Sequence, residues 1–335
     1  MTRPERREPL PRAVYRILSD RRFHSGSELA ERGGVSRGAV WKAVSALRAL
    51  GVGVDAVPNR GYRLPAASEL LEPERIARLL PRALNARLRE GHCCWATGST
   101  NEDLLQQSAP PPGHFDFLTA EYQRAGRGRR ARRWFAPPGG ALCLSIGWTF
   151  ATLPADVAAL SLAIGVCALR ALAQSGYQGA ALKWPNDIVV GAAKLGGILI
   201  ELRAEAGGPA QVVVGIGLNV ALGEPVLRLV SDTGTRATDL RALNSHGGDR
   251  NRLAAAVIGA CVAGLAQFES GGLRPFLAEW RAADALAGRA VMVDADGGAV
   301  SGHARGIDVE GALCVQTREG LRRFITGDVS VRATA

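Results

Sequence analysis

Apolar positions at helical spacing dominate the first 65 residues. Val40, Val44, Leu47 and Leu50 fall on one face of a helix predicted over Arg37 to Leu50. Ser36 stands at its N-cap and Gly51 at its C′ position. The opposite face carries Arg37, Trp41, Lys42, Ser45 and Arg48. Tyr15 and Leu18 mark an earlier helix. Ser25-Gly-Ser-Glu28 reads as a capping box opening a second helix through Arg32, with Gly33-Gly34 as the turn. Val52 to Val57 and Tyr62 to Leu64 flank Asn59-Arg60-Gly61 and read as a hairpin. Helix, short helix, turn, basic helix and hairpin make a winged helix-turn-helix. Its third helix would enter a major groove, and a wing carrying Arg60 would meet phosphate. A small helical domain for dimer contacts or regulation is the competing reading.

Pro65-Ala-Ala-Ser-Glu69 reads as a linker. Beyond it the pattern alternates between helix and strand. Residues 70–83 look helical, Cys93-Cys94-Trp95 is a short strand, and Ser99 or Thr100 caps a helix starting near Asn101. Apolar runs at 117–120 and 141–148 read as strands, and Asp156 to Ser175 as a buried helix. Ala181 to Val190 reads as a strand interrupted by Pro185, followed by a turn to Lys194 and strands at 195–202 and 212–220. Gly196, Gly197, Gly215 and Gly217 sit inside these strands, where glycine often marks a close approach by a ligand. Residues 221–247 show no periodicity and read as irregular and mobile. Helices follow at 251–268 and 273–285. Short strands from Ala290 to Val331 then carry the turn spacing of a small barrel. The organisation is therefore residues 1–66, 67–284 and 285–335.

Charge sharpens this picture. The chain of 335 residues carries a net charge of +10. Residues 1–65 hold 13 Lys or Arg against six Asp or Glu, which favours nucleic acid as the partner of that domain. Lysine occurs only at 42, 183 and 194, so a compact ammonium kept at the last two positions suggests a task arginine would not do. Six cysteines show no metal-ligand spacing and read as buried thiols. No apolar run reaches the ~18 residues of a membrane span. With no apolar leader at the N-terminus, the expectation is a cytoplasmic protein without membrane partners.

The stretch Glu121-Tyr-Gln-Arg-Ala-Gly-Arg-Gly-Arg-Arg-Ala-Arg-Arg-Trp134 concentrates six arginines and two glycines between two strands. Arginine forks suit carboxylates and phosphates, and glycine lets backbone approach a ligand. A solvated loop or a nucleic-acid patch remains the plain alternative. Six like charges repel, so such a loop is expected to move until anions order it. No P-loop is present, Gly215-x-Gly217 lacks a third glycine, and no nucleophile–base set stands out. Cationic, glycine-rich chemistry without a protein nucleophile suits attack of a carboxylate on a nucleoside triphosphate, where repulsion between two anions must be offset.

The arginine loop resembles the signature loop of biotin protein ligases. Lys183-Trp-Pro-Asn-Asp187, with Lys194-Leu-Gly-Gly-Ile-Leu-Ile-Glu201, resembles their second signature, and Ser99-Thr-Asn101 and Gly215-Ile-Gly-Leu-Asn219 match two further blocks. With the winged helix in front, the resemblance is closest to the type that is both ligase and operon repressor. It implies an α/β catalytic domain with a mixed sheet, related to lipoate ligases, and an SH3-like C-terminal barrel. It implies biotin, ATP and Mg²⁺, a biotin carboxyl carrier domain as acceptor, operator DNA bound through residues 1–66, and a homodimer. Carried over by position, Ser99, Thr100, Asn101 and Gln123 would hold biotin. Arg127, Gly128, Arg129, Arg130 and Trp134 belong to the loop closing over biotin and the adenylate. Lys194, beside Gly196 and Gly197, would reach carboxylate and phosphate oxygens. Lys183 and Asn186 would support phosphates or metal, and Asp187 would orient the incoming lysine or the metal. Lys183, Lys194, Arg129 and Asp187 are thus the expected catalytic groups. Adenine contacts would fall in 221–247, with Asn219 nearby. A lipoate ligase on the same fold, a biotin-sensing regulator without transfer activity, and a plain nucleic-acid binder are the alternatives.

Overall fold

The computed structural model describes residues 8–65, 69–204, 208–231, 236–244, 248–295 and 298–331. The expected linker lies outside them except for Pro65 and Glu69, and so does the boundary at 66/67.

Helices α1 (Leu10–Leu18), α2 (Gly26–Gly33) and α3 (Arg37–Ala49) precede a hairpin of β1 (Asp55–Val57) and β2 (Gly61–Arg63). Their apolar faces close on Val14, Tyr15, Leu18, Leu29, Val44 and Leu47, giving the expected winged helix-turn-helix its own core. The caps form as read: Ser36 Oγ accepts from Ala39 N at 3.2 Å, and Ser25 Oγ from Glu28 N at 3.0 Å. The capping box is only half made. Glu28 turns instead to His24 Nδ1 at 2.7 Å, while His24 Nε2 meets Asp20 at 2.9 Å. A buried ring facing two carboxylates satisfies both only as an imidazolium, the form this pocket favours. Burial pulls the His24 pKa down, but Glu28 and Asp20 outweigh it and hold it above the ordinary 6.5. The same residue's backbone pairs with Tyr62 of the wing. Gly61 (φ +98°) lets it come so near, since a Cβ there would lie 2.0 Å from His24 O.

After α4 (Pro73–Leu79) and α5 (Arg82–Asn85) comes the central sheet. Its elements are β3 (Leu88–Thr97), α6 (Thr100–Gln106), β4 (Phe115–Gln123), β5 (Ala141–Phe150), α7 (Leu160–Gln174), β6 (Ala181–Lys183), β7 (Asp187–Val190), β8 (Ala193–Ala204) and β9 (Ala210–Asn219). The strand order is β3-β4-β5-β9-β8-β7-β6, with β3 parallel to β4 and every other pair antiparallel. The sheet is mixed, as expected. One correction concerns Pro185. It does not interrupt a strand but sits, after a cis Trp184–Pro185 bond, in the turn of a β6–β7 hairpin.

Period-two alternation sorts the sheet's faces. Leu142, Leu144, Ile146 and Trp148 of β5, with Val212, Val214, Ile216 and Leu218 of β9, face a core shared with α7 and α9 (Arg250–Gly271). The opposite face carries Cys143, Ser145, Gly215 and Gly217, and α6 lies against it. Residues 157–174 and 250–271 are apolar and long enough to cross a bilayer by length and composition, which corrects the expectation that no run reaches that length. Both pack into this core, where more than half of each is buried, and that burial accounts for their apolarity.

Within 221–247, the described residues 221–231 and 236–244 are more ordered than the pattern implied. They include α8 (Glu224–Ser231), whose Val226 and Leu227 pack on Trp134 and Phe135. The segment at 236–238 pairs with Lys194. After α10 (Leu277–Ala282), strands β10 (Ala290–Ala295), β11 (Gly298–Ile307), β12 (Leu313–Thr317), β13 (Gly320–Phe324) and β14 (Asp328–Val331) form an antiparallel sheet ordered β13-β12-β11-β10-β14. Its apolar face joins the central core rather than standing apart.

A buried ion pair ties the layers. Glu121 at the end of β4 meets Arg250 of α9 at 2.9 Å, with side-chain exposures of 4% and 0%. Glu121 also accepts from Leu71 N and Gly139 N, and Arg250 donates to Glu69 O and Ala141 O. Removing one partner leaves an uncompensated buried charge, so Arg250→Ala should lose about 3–5 kcal/mol in urea unfolding; an unchanged midpoint would refute this. For His24, the raised folded pKa means its stabilisation is whole below 6.5 and is lost as pH rises through the folded value. Melting of the N-terminal domain should therefore drop as pH climbs past 6.5 and through the raised folded value, and His24→Asn should flatten that slope.

Candidate active site

On the α6 face of the sheet a polar network runs through four elements. Gln123 Oε1, at the end of β4, accepts from Thr100 N at 2.8 Å and Thr100 Oγ1 at 3.1 Å. The Ser145 hydroxyl of β5 lies 2.7 Å from Thr100 Oγ1 and 2.6 Å from Asn101 Oδ1. Asn101 Nδ2 donates to Glu201 of β8 at 2.8 Å and to Leu199 O at 3.2 Å. Glu201 in turn holds Arg127 of the loop at 3.2 Å. Gly215 makes this possible. A Cβ there would lie 2.4 Å from Asn101 Oδ1, so the glycine admits the protein's own side chain rather than a ligand. Gly217 does the same for the Trp134 ring, at 2.6 Å, and Gly196 for the neighbouring strand's Gly217 O, at 2.6 Å.

Next to this network lies a cluster of cations. The β6–β7 hairpin sets Lys183 opposite Asp187 in register, and the β7–β8 connection brings Lys194 Nζ to 2.5 Å from Asp187. Gly197, opposite Asp187 in register, has space for that ammonium, since a Cβ there would lie 3.3 Å from Nζ. Burial pulls both Lys183 and Arg129 below their ordinary values, and Asp187 offsets only part of it. The Arg129 guanidinium keeps one buried nitrogen with no hydrogen-bond partner. Two desolvated cations and Lys194 around one carboxylate form a site whose charge an anion would balance.

The arginine loop is folded rather than loose. Residues 127 and 133 form a bridge, Gly128 N donates to Arg132 O at 2.6 Å, and Trp134 N to Gly126 O at 2.8 Å. Arg130 and Ala131 turn the tip in the left-handed region at φ +54° and +56°, a strained conformation of the kind that gathers at functional sites. The expected repulsion is partly neutralised. Glu201 takes Arg127, and Asp328 of β14 takes Arg130 at 3.1 Å and also Arg132. The buried Cys143 thiol beneath the loop is pushed up to about 11 by burial, against the Trp134 and Gln123 N–H groups. Burial likewise raises Cys93 and Cys167 to about 12, as suits inert core thiols.

Most of the expected site residues therefore converge on one end of the sheet, and several have tasks other than those expected. Asn101 is only 3% exposed, and its amide is engaged on both sides by protein. Ser99 caps α6. Asn186 Nδ2 donates to Ile198 O at 2.7 Å, and Asn219 Nδ2 to Thr238 O at 2.9 Å, so both amides tie strands together. In the N-terminal domain Arg37, Trp41 (61% exposed) and Lys42 share the open face of α3, with Ser45 half-buried. Arg48 instead donates to Val54 O at 2.7 Å and holds that helix to the wing, and Arg60 lies over the Phe23 ring. Ser145, Glu201 and Asp328 were not singled out from sequence; only the position of Glu201 at the end of the second signature pointed to one of them.

The chain matches three family models: Biotin/lipoate A/B protein ligase family at 94–219, HTH domain at 12–63, and Biotin protein ligase C terminal domain at 287–332. It is 37% identical to the bifunctional ligase/repressor BirA of Salmonella typhimurium over 97% of this chain and 98% of that one. It is 37% identical to the biotin–[acetyl-CoA-carboxylase] ligase of Mycobacterium tuberculosis over 70% and 85%. Among solved structures, the biotin protein ligase of Aquifex aeolicus in complex with biotin and ATP shares the fold, with a TM-score of 0.61 at 24% identity over 73% of this chain and all of that one.

The packing of Trp134 on Gly217 gives a direct check of the loop's anchorage. Gly217→Ala should lift the ring and speed tryptic cleavage within 124–133, whereas Gly98→Ala, with nothing within 4 Å of its Cβ, should not. Equal protection in both variants would show that this contact does not hold the loop.

Proposed function

The chain belongs to the biotin protein ligases of the bifunctional ligase/repressor type, and on that premise we propose how its residues divide the work. The biotin carboxylate attacks the α-phosphorus of ATP, the bond to the β-phosphate breaks, and pyrophosphate leaves. The ε-amine of a carrier-domain lysine then attacks the acyl carbon of biotinyl-5′-AMP, and AMP leaves with the bonding pair.

The observation that carries this reading is the cation cluster. Lys194 pairs with Asp187, and the desolvated Lys183 and Arg129 feel only Asp187 and an Asp328 already paired with Arg130 and Arg132. Two anions meeting there gain what these carboxylates leave unmet, and their mutual repulsion is offset where charge develops. Lys194 reaches the biotin carboxylate and α-phosphate oxygens. Lys183 and Arg129 take phosphate charge, and Arg127, Gly128 and Arg130 hold the loop over the adenylate. Thr100 and Gln123 line the biotin side, beside Ser99 and backed by Asn101. Gly196 and Gly197 let strands and the Lys194 ammonium pack closely around the site. The family resemblance implies Mg²⁺ carried with the ATP phosphates. Asp187 and Asn186 would hold it, and it would supply charge neutralisation there. Trp134, with Phe135 and α8, walls the side where adenine is expected. Closing the loop over the site keeps water from the reactive anhydride.

For the N-terminal domain, our reading is operator binding through Arg37, Trp41, Lys42 and Ser45 in a major groove, with Arg60 on the wing. Pairing two such domains on one operator calls for a homodimer. Six cysteines, all free, suit a reducing cytoplasm.

The adenylating step is measured by ATP–pyrophosphate exchange with biotin, lipoate or no acid. Exchange should depend on biotin, and Lys194→Ala should lower it about 100-fold or more, as loss of a charge-stabilising donor does elsewhere. Preference for lipoate would keep the fold and overturn the acid. Tight biotin binding without exchange would make the chain a sensor.

A further inference from the structure

Glu201 lies at the end of the second signature and has no role in the scheme above. Three facts set it apart. Its two carboxylate oxygens face two different elements: Oε2 takes the Asn101 amide of α6 at 2.8 Å, and Oε1 takes the Arg127 guanidinium of the loop at 3.2 Å. Asn101 is fully engaged, donating also to Leu199 O and accepting from Ser145, so it serves as a fixed mount rather than a ligand donor. Gly215 keeps the space that lets Asn101 lie flat across β9. The carboxylate is thus held from behind by neutral groups and presents its charge to the loop.

The chain of contacts also closes on itself. It begins at Gln123, passes through Thr100, Ser145, Asn101 and Glu201, and returns at Arg127, only four residues on from where it started. The first turn of the loop is therefore clamped at both ends by the wall against which biotin is expected. Among the described residues, Glu201 is the one carboxylate of the central sheet that an ion pair joins to the loop; the other loop partner, Asp328, comes from the C-terminal sheet.

We propose that Glu201 is a positioning residue of the adenylation site: it fixes the plane of the Arg127 guanidinium over the biotin side, leaving that group's other N–H donors for the incoming anions. The proposal rests on the ligase reading for its substrate and on geometry alone for the strap. Arginine presents five donors in a rigid fork, and one Glu201 contact uses a single nitrogen, so orientation is gained with most of the donors still open. Without the strap, Arg127 would sample many rotamers before meeting the ligand, and the loss should appear in the capture of biotin more than in turnover.

The test uses Glu201→Gln, Arg127→Ala and the double variant of the full chain. Glutamine keeps an oxygen for the Asn101 amide but loses the charge that Arg127 sees. In biotin-dependent ATP–pyrophosphate exchange, Glu201→Gln should raise the KM for biotin about tenfold with a smaller change in kcat. In the double variant the effects should not multiply, because each change removes the same contact. Glu201→Asp should recover part of the loss. Effects that multiply, or a Glu201→Gln enzyme with the wild-type KM, would overturn the proposal. A second readout needs no activity: subtilisin cleavage within 124–133, which does not depend on arginine, should quicken equally in Glu201→Gln and Arg127→Ala, and unchanged cleavage in both would also overturn it. Absence of biotin-dependent exchange in the wild type would instead sink the ligase reading, and the cleavage rates would still decide whether the strap exists.

Discussion

The pair of Glu121 and Arg250 is the constraint on which the rest of the architecture depends. Both side chains are buried, so each charge must be compensated where it lies. The compensation is drawn from three separate places: the segment entering the catalytic domain (Glu69 O and Leu71 N), the exit of the arginine loop (Gly139 N and Ala141 O), and α9. A highly charged loop needs fixed ends if its tip is to meet a ligand in one geometry. Here the start of the loop is the strand that ends at Glu121 to Gln123, and its return is pinned by the same carboxylate. The wall is fixed first, and only the turn between is left to respond.

The same junction brings the N-terminal domain to the site. Tyr15 of α1 stacks near Trp95 at 6.0 Å, and Trp95 meets Tyr122 edge-on at 5.9 Å, one residue before Gln123. A Cβ on Gly139 (φ +74°) would lie 1.8 Å from the Tyr15 hydroxyl, so the loop's exit and α1 are in direct contact. Gly51, at the end of α3, packs toward Phe135, Pro137 and Val226. The helix whose open face carries Arg37, Trp41 and Lys42 thus ends against the aromatic pair at the loop's exit and α8.

Local signals were legible in the sequence and long-range ones were not. Caps at Ser25 and Ser36, the spacing of Val40, Val44 and Leu47, and the turn at Asn59 to Gly61 act within a few residues and can be read along the chain. Lys183, Asp187 and Lys194 were legible as one group because two tight connections bring them together. Glu201 with Arg127, Asp328 with Arg130, and Arg250 with Glu121 are separated by 74, 198 and 129 residues, and no periodicity links such partners. The glycines were read in the right place for a partly mistaken reason: a strand glycine marks a close approach, but at 215 and 217 what approaches is Asn101 and Trp134. Residues 221–247 lacked a pattern because α8 is short and half of its environment is the loop's own aromatic pair.

These partners also explain how so cationic a loop can hold a fold at all. Six arginines within ten residues would repel in isolation, and in the structure Glu201 and Asp328 pair with three of them. One carboxylate belongs to the central sheet and the other to the C-terminal sheet, and the two sheets share one core. Each carboxylate takes up only part of its partners' hydrogen-bonding capacity, and Arg129, between them in sequence, keeps a buried nitrogen with no partner. Neutralisation thus reaches Arg127, Arg130 and Arg132 but stops short at Arg129, which burial depresses despite Asp328 and Asp187. The shortfall is local: it leaves unmet the charge that a carboxylate and a phosphate, arriving together, would meet.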